Sequence, residues 1–91
     1  MSGPQQRTAR IMNKRGLHAR AAAKIVEAAA RFTSEITVTH DGQAVNARSI
    51  MGLMMLAASL GTDVELRAEG PDSAAALTAI AALIEAKFGE E

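Results

Sequence analysis

No cysteine occurs in the 91 residues, which excludes disulfide staples, thiolate nucleophiles, zinc fingers and iron–sulfur centres. Tryptophan and tyrosine are missing as well, and only Phe32 and Phe88 supply aromatic rings. Base stacking on single-stranded nucleic acid therefore has almost no platform. Nor is there an excess of one charge: ten basic against ten acidic side chains give zero net charge, with no basic block. Neither nucleic acid nor an anionic membrane would be drawn to such a chain. Long hydrophobic runs are absent too. The longest, Ile50 to Leu60, is interrupted by Gly52 and Ser59 and falls well short of the roughly 20 residues of a membrane span. The opening MSGPQQ lacks the apolar stretch of a signal peptide. The expectation is a cytoplasmic protein without membrane insertion. Two histidines without ligand spacing to carboxylates predict no metal and no cofactor.

What is present is globular: 48% apolar and 22% charged residues. Residues 1–6 read as a loose N-terminal tail and residues 7–91 as one domain. A domain this small buries about 60–70% of the surface its unfolded chain exposes. So few residues do not both form a core and enclose a substrate, and a protein that works at its surface is expected. The core must come from Ile, Leu, Val, Met and many alanines.

Along the chain, Arg7 to Asn13 alternates, with Ala9 and Ile11 on one side and Arg10 and Met12 on the other, which predicts a strand. Gly16 permits a turn, and Ala19 to Ala30 is rich in strong helix formers, with Ala22, Ile25, Val26 and Ala29 as the inward stripe. Glu35 to His40 alternates strictly, Asp41-Gly42 signals a hairpin, and Gln43 to Ala47 returns. Ser49 precedes a nine-residue helix ending near Ala58. Thr62 to Glu69 reads as a strand burying Val64, Leu66 and Ala68. Asp72 or Ser73 then caps a last helix whose apolar side includes Leu77, Ile80, Leu83 or Ile84, and Phe88. The order is β-α-β-β-α-β-α. The hairpin and the one-sided alternation favour an α+β fold, with a four-stranded antiparallel sheet and three helices on one face.

Gly16-Leu17-His18-Ala19-Arg20 is the most informative stretch. His18 falls at a loop-to-helix junction, where the first helical amides have no intrahelical partners and the dipole favours an anion. Arg20 adds a permanent cation whose planar donors suit phosphate. An arginine in a first helical turn opposes the dipole, so its presence points to an anionic partner. A nucleophilic imidazole beside an anion cradle, without a second acid, base or metal motif, describes a group that receives a phosphoryl and passes it on. The plain alternative is that His18 only caps a helix and Arg20 is solvated.

GLHAR at Gly16 to Arg20, FTSEITVTHDG at Phe32 to Gly42, NARSIMGLM at Asn46 to Met54 and GTDVELRAEG at Gly61 to Gly70 together resemble the histidine-containing phosphocarrier family HPr. The resemblance runs from about Thr8 to Phe88. It implies the open-faced β-sandwich of that family and a phosphoryl carrier that is a substrate of enzyme I rather than an enzyme. His18 matches the residue phosphorylated on its δ1 nitrogen, and Arg20 the arginine that stabilises the phosphoryl group. Asn13, Gly16, Ala19 and Ala21 border the site. The family usually reads H-x-R-P, and here Ala21 stands in place of the proline. That predicts a slightly looser first turn with one more amide.

Ser49 is first of all a helix N-cap ahead of IMGLMML. By resemblance RSIMG also matches the regulatory serine of those HPr proteins that have a dedicated serine kinase/phosphorylase. A phosphate there places a doubly negative group inside an apolar docking patch. Leu53 and Leu56 are expected to face the core. Ile50, Met51, Met54 and Met55 are left outward, where flexible thioethers suit several partners. The resemblance implies that this patch, with Leu17 and Arg20, docks a monomeric protein onto enzyme I and then onto EIIA-type acceptors. His40 reads as a partly buried structural residue. Two readings of other classes compete: a regulatory binding module acting through Ser49 and the helix surface, against which the retained His18 speaks, and a small-molecule- or RNA-binding α+β domain, where the missing aromatics and neutral charge speak against RNA. Within the family, the sugar or the nitrogen-related branch stays open.

Overall fold

The computed structural model describes residues 3–90. Strands β1 (Gln5–Arg10), β2 (Glu35–His40), β3 (Gln43–Asn46) and β4 (Asp63–Glu69) alternate with helices α1 (Ala19–Ala29), α2 (Ile50–Met55) and α3 (Ser73–Glu85), and a short turn follows at Lys87–Gly89. The sheet is antiparallel throughout, in the order β1-β4-β2-β3, so β4 enters between the first strand and the hairpin. The architecture is the α+β open sandwich expected, with element order β-α-β-β-α-β-α.

Period-two alternation decides which face is covered. Along β4, Val64, Leu66 and Ala68 are buried while Asp63, Glu65, Arg67 and Glu69 are exposed. Ile36 and Val38 of β2 bury on the same side, and Val38 sits opposite Leu66 in the register. The helices close over that face with small side chains: Ala21, Ala22, Ala28 and Ala29 from α1, and Ala76 and Ala81 from α3. Methyl groups let backbones approach closely, so Ile25, Leu53, Ile80, Ile84 and Phe88 fill the remaining volume and are fully enclosed.

Several boundaries differ from the sequence reading. β1 begins at Gln5, so Gln5 and Gln6 belong to the domain and not to a tail; Met1 and Ser2 lie outside the described residues. Gln5 and Gln6 pair with Ala68 and Arg67 of β4, and ladder bonds hold a segment with no apolar alternation of its own. The same strand ends at Arg10, yet Ile11 still bonds across: its N–H donates to the Thr62 carbonyl at 2.9 Å, and Gly61 N–H donates to the Ile11 carbonyl at 2.8 Å. In α1, Ala21 and Ala28 join the inward stripe and Val26 is only half-buried. α2 has six residues rather than nine, because Ala57 adopts a left-handed conformation (φ 54°) that ends it. Phe88 is buried as expected, but in the turn beyond α3 and not on the helix.

Two polar devices pin the loops opposite the α1 N-terminus. Arg48 Nη2 donates to the carbonyls of Ala29, Phe32 and Ser34 at 3.0, 2.5 and 3.2 Å, serving the unpaired end of α1. Asp72, at the N-cap of α3, does not cap its own helix with its side chain. Its carboxylate accepts instead from Thr33 N–H at 2.9 Å and Ser34 N–H at 3.0 Å, and from Ser34 Oγ at 2.5 Å. The Ser34 hydroxyl, followed by the Thr33 amide, pulls the Asp72 carboxyl down to about 2 from the usual 3.8.

Candidate functional site

The loop between β1 and α1 is built around Gly16. Its φ is +66°, and a Cβ there would lie 2.4 Å from the Ala58 carbonyl oxygen, so only glycine fits. That close approach lets Leu17 N–H donate to the same carbonyl at 3.0 Å, tying the loop to the segment after α2. Leu17 is consequently buried in the core. The sequence reading placed it on the docking surface. Its neighbours Gly16 and His18 suggest an outward loop, but the Ala58 segment covers it.

His18 is the N-cap residue of α1, in extended conformation (φ −77°, ψ 177°), and its ring makes no capping bond. Its backbone starts the helix, since the His18 carbonyl accepts from Ala22 N–H at 2.9 Å. The amides of Ala19, Arg20 and Ala21 are the donors that precede the first intrahelical bond. Ala19 and Arg20 are exposed, while the Ala21 methyl is buried and belongs to the core. Arg20 lines an open basin of about 470 Å³ together with Lys14, Arg15, Gly89 and Glu90. Three cations against one carboxylate make this basin locally positive although the whole chain is neutral.

The residue the sequence reading missed is Glu90. One carboxylate oxygen, Oε2, pairs with His18 Nε2, and Oε1 accepts from Asn13 Nδ2 at 3.0 Å. Asn13 is fully buried and its Nδ2 also donates to the Gly16 carbonyl at 2.9 Å. Both amide hydrogens are thus spent on acceptors. A flipped amide would set its oxygen against them, so the orientation is fixed. Asn13 Oδ1 is buried without a hydrogen-bond partner among the described residues. The Asn13 amide is the main reason the Glu90 carboxyl lies below its usual range. Partial desolvation opposes this, and the His18 ring and the Arg15 charge add to the lowering. An ionised carboxylate only accepts, so Nε2 carries the hydrogen, and in the neutral ring the lone pair is then on Nδ1. Nδ1 makes no hydrogen bond among the described residues.

Ser49 caps α2 as expected: its Oγ accepts from Gly52 N–H at 2.9 Å. On that helix Leu53 and Leu56 are buried, while Ile50, Met51, Met54 and Met55 are exposed. Met12 and Leu60 are exposed as well and were not anticipated. They flank the Ile11–Gly61 and Ile11–Thr62 bonds that join their two loops, so they extend the apolar surface beside the His18 loop. His40 is half-buried at the end of β2, with Nδ1 donating to the Asp63 carbonyl at 3.1 Å, a structural contact. Among the described residues no three His, Asp or Glu side chains gather as a metal site requires, and no helix is long and apolar enough to cross a membrane.

The family model described as "PTS HPr component phosphorylation site" matches residues 5–86. Phosphocarrier protein HPr of Treponema pallidum is 53% identical over 85 residues, 93% of this chain and 97% of that protein. Phosphocarrier protein NPr of Shewanella violacea is 45% identical over 85 residues, 93% of each chain. The crystal structure of HPr-C-His from Thermoanaerobacter tengcongensis superposes with a TM-score of 0.90 at 52% identity, covering 96% of this chain and 98% of that one.

Proposed function

The chain belongs to the HPr phosphocarrier family, and from that premise we propose that it accepts a phosphoryl group on His18 Nδ1 from enzyme I, charged by phosphoenolpyruvate, and passes it to an EIIA-type protein. One observation carries this reading: the His18 ring stands at the N-cap of α1 without capping it, and it pairs with Glu90, which lines the cation-rich basin together with Arg20. The Nδ1 lone pair forms the bond to phosphorus as the donor's own bond to phosphorus breaks and its electron pair returns to the donor. Arg20 and the first-turn amides of Ala19, Arg20 and Ala21 stabilise the charge on the phosphoryl oxygens. The transfer machinery resides on the partners, and this protein is a stoichiometric substrate, not an enzyme. It acts in the cytoplasm as a monomer.

The exposed face of α2 is the docking surface, with Ile50, Met51, Met54 and Met55 as its apolar centre. Leu17 has no part in it. Ser49 is the regulatory position for a serine kinase/phosphorylase where one is present. Its phosphate would add negative charge in the middle of that surface while remaining compatible with the start of α2. Relatives named HPr and NPr both match over nearly the whole chain. The branch, sugar or nitrogen-related, is decided by which EIIA-type protein drains the phosphoryl group.

The test is incubation with phosphoenolpyruvate and enzyme I, followed by intact-mass and acid-lability measurement. The wild type gains one acid-labile phosphoryl group and His18→Ala gains none. No gain in the wild type, or an undiminished gain in His18→Ala, overturns the assignment.

A further inference from the structure

We propose that Glu90 is a positioning residue for phosphoryl transfer: its carboxylate takes the Nε2 hydrogen of His18, directs the Nδ1 lone pair to the incoming phosphorus and pairs with the ring once it is phosphorylated, while Asn13 holds the carboxylate in place. This rests on the carrier reading of His18 given above. The contact itself joins residues 72 positions apart, Glu90 Oε2 to His18 Nε2. The other oxygen is engaged too, by a buried amide whose second hydrogen is already committed to the Gly16 carbonyl. Both oxygens of the carboxylate are thus engaged within the chain.

The chain goes out of its way to deliver this residue. After α3, Lys87 (φ 61°), Phe88 (φ 55°) and Gly89 (φ 77°) are all left-handed, and for the first two that backbone conformation is unfavourable. Strain of this kind persists where the surroundings over-determine it and tends to collect at functional sites. Two anchors hold it here. The Phe88 ring is fully buried, and Lys24 Nζ of α1 donates to the Phe88 carbonyl at 2.5 Å. The result is a bend that turns Glu90 back onto the N-terminus of α1.

The chemistry balances without a proton leaving the ring. As the Nδ1–P bond forms and the donor's bond to phosphorus breaks, Nε2 keeps its hydrogen and the ring becomes a phosphoimidazolium cation. The Glu90 carboxylate neutralises that cation as it develops, as a buried carboxylate does for a catalytic histidine. On the outgoing step the P–Nδ1 bond breaks, its electron pair returns to Nδ1, and the ring leaves as neutral imidazole still protonated on Nε2. The same contact therefore serves both directions.

Glu90→Ala, Glu90→Gln and Glu90→Asp in the full chain test this, read by ¹⁵N NMR of the His18 ring and by single-turnover transfer from phosphorylated enzyme I. In the wild type Nε2 shows a hydrogen shared with a carboxylate, and Glu90→Ala loses that signature. Loss of a charge-assisted hydrogen bond predicts a fall of about 10- to 100-fold in the maximal transfer rate, with an unchanged KM because the docking face is untouched. Glu90→Gln, which can accept but carries no charge, falls between, and Glu90→Asp recovers part of the rate. Wild-type or faster transfer in Glu90→Ala overturns the proposal, the faster case marking Glu90 as a cover over the ring. An Nε2 signature unchanged in Glu90→Ala overturns it as well. A wild type that takes no phosphoryl group overturns the carrier reading, while the ring signature, measured without any donor, reports on the contact separately.

Discussion

Replacing Gly16 by alanine tests how the loop that carries His18 is held. At φ +66° an alanine pays about 1–2 kcal/mol for left-handed backbone, offset by about 0.4–1 kcal/mol because the unfolded chain loses freedom. The larger cost is contact. The new methyl would sit 2.4 Å from the Ala58 oxygen and 3.1 Å from Ser59 Cα, both backbone atoms that cannot swing aside as a side chain would. Moving the strands of chain apart breaks the Leu17 N–H bond to Ala58, worth about 1 kcal/mol, and loosens Leu17 in the core. The sum is about 2–4 kcal/mol. Gly42→Ala is the control: φ is +83°, nothing lies within 4 Å, and the cost is about 1 kcal/mol or less. In urea, with a slope of about 1 kcal/mol per M for a domain this size, Gly16→Ala should lower the midpoint by about 2–4 M and Gly42→Ala by about 1 M or less. Equal shifts for the two would refute the close-approach argument. Phosphoryl acceptance should drop in Gly16→Ala even at temperatures where it is folded, since His18 N–H bonds the Gly16 carbonyl at 2.9 Å.

Phe88→Ala removes the largest fully buried side chain and should cost about 3–5 kcal/mol in denaturant unfolding. It should also weaken the Glu90 contact, seen as a shift of the His18 Nε2 resonance. Asp72 has a depressed carboxyl value near 2, so its stabilising contribution is present above about 3.8 and is lost as pH falls toward 2. Asp72→Asn should therefore be clearly less stable than the wild type at pH 6, with the gap closing by pH 2; a constant gap across urea midpoints in that range would contradict this. Met51 is 72% exposed, so Met51→Glu should leave the melting temperature within a degree or two but raise the KM for phosphoryl transfer from enzyme I. An unchanged KM would remove Met51 from the docking face.

Most of the fold could be read from the sequence because its signals are local. Alternation in β2 and β4, the Asp41-Gly42 turn and alanine-rich helical spacing each declare an element within a few residues. β1 was misplaced at its start because it lies on the sheet edge. Gln5, Gln6, Arg7 and Thr8 are all exposed, and only the β4 ladder makes them a strand. Within the candidate site, the helix-start position of His18 and the exposure of Arg20 are legible from one pentapeptide, and the capping by Ser49 from its place ahead of α2. The place of Glu90 beside His18 is not, since it comes from a strained turn and a contact across 72 residues, neither of which leaves a periodic trace. Leu17 fails for the same reason in reverse: a residue between Gly16 and His18 looks superficial until a remote carbonyl folds over it.

The sheet has two open margins, and they are blunted differently. β1 offers Gln5, Gln6, Arg7 and Thr8 along its exposed length, while β3 is only four residues long. A short or polar, charged border is a poor template for another strand to add itself. Encounters with other proteins can thus end in separation rather than in strand-to-strand adhesion, leaving sticky contact to the methionine face of α2 and the neighbouring exposed Met12 and Leu60.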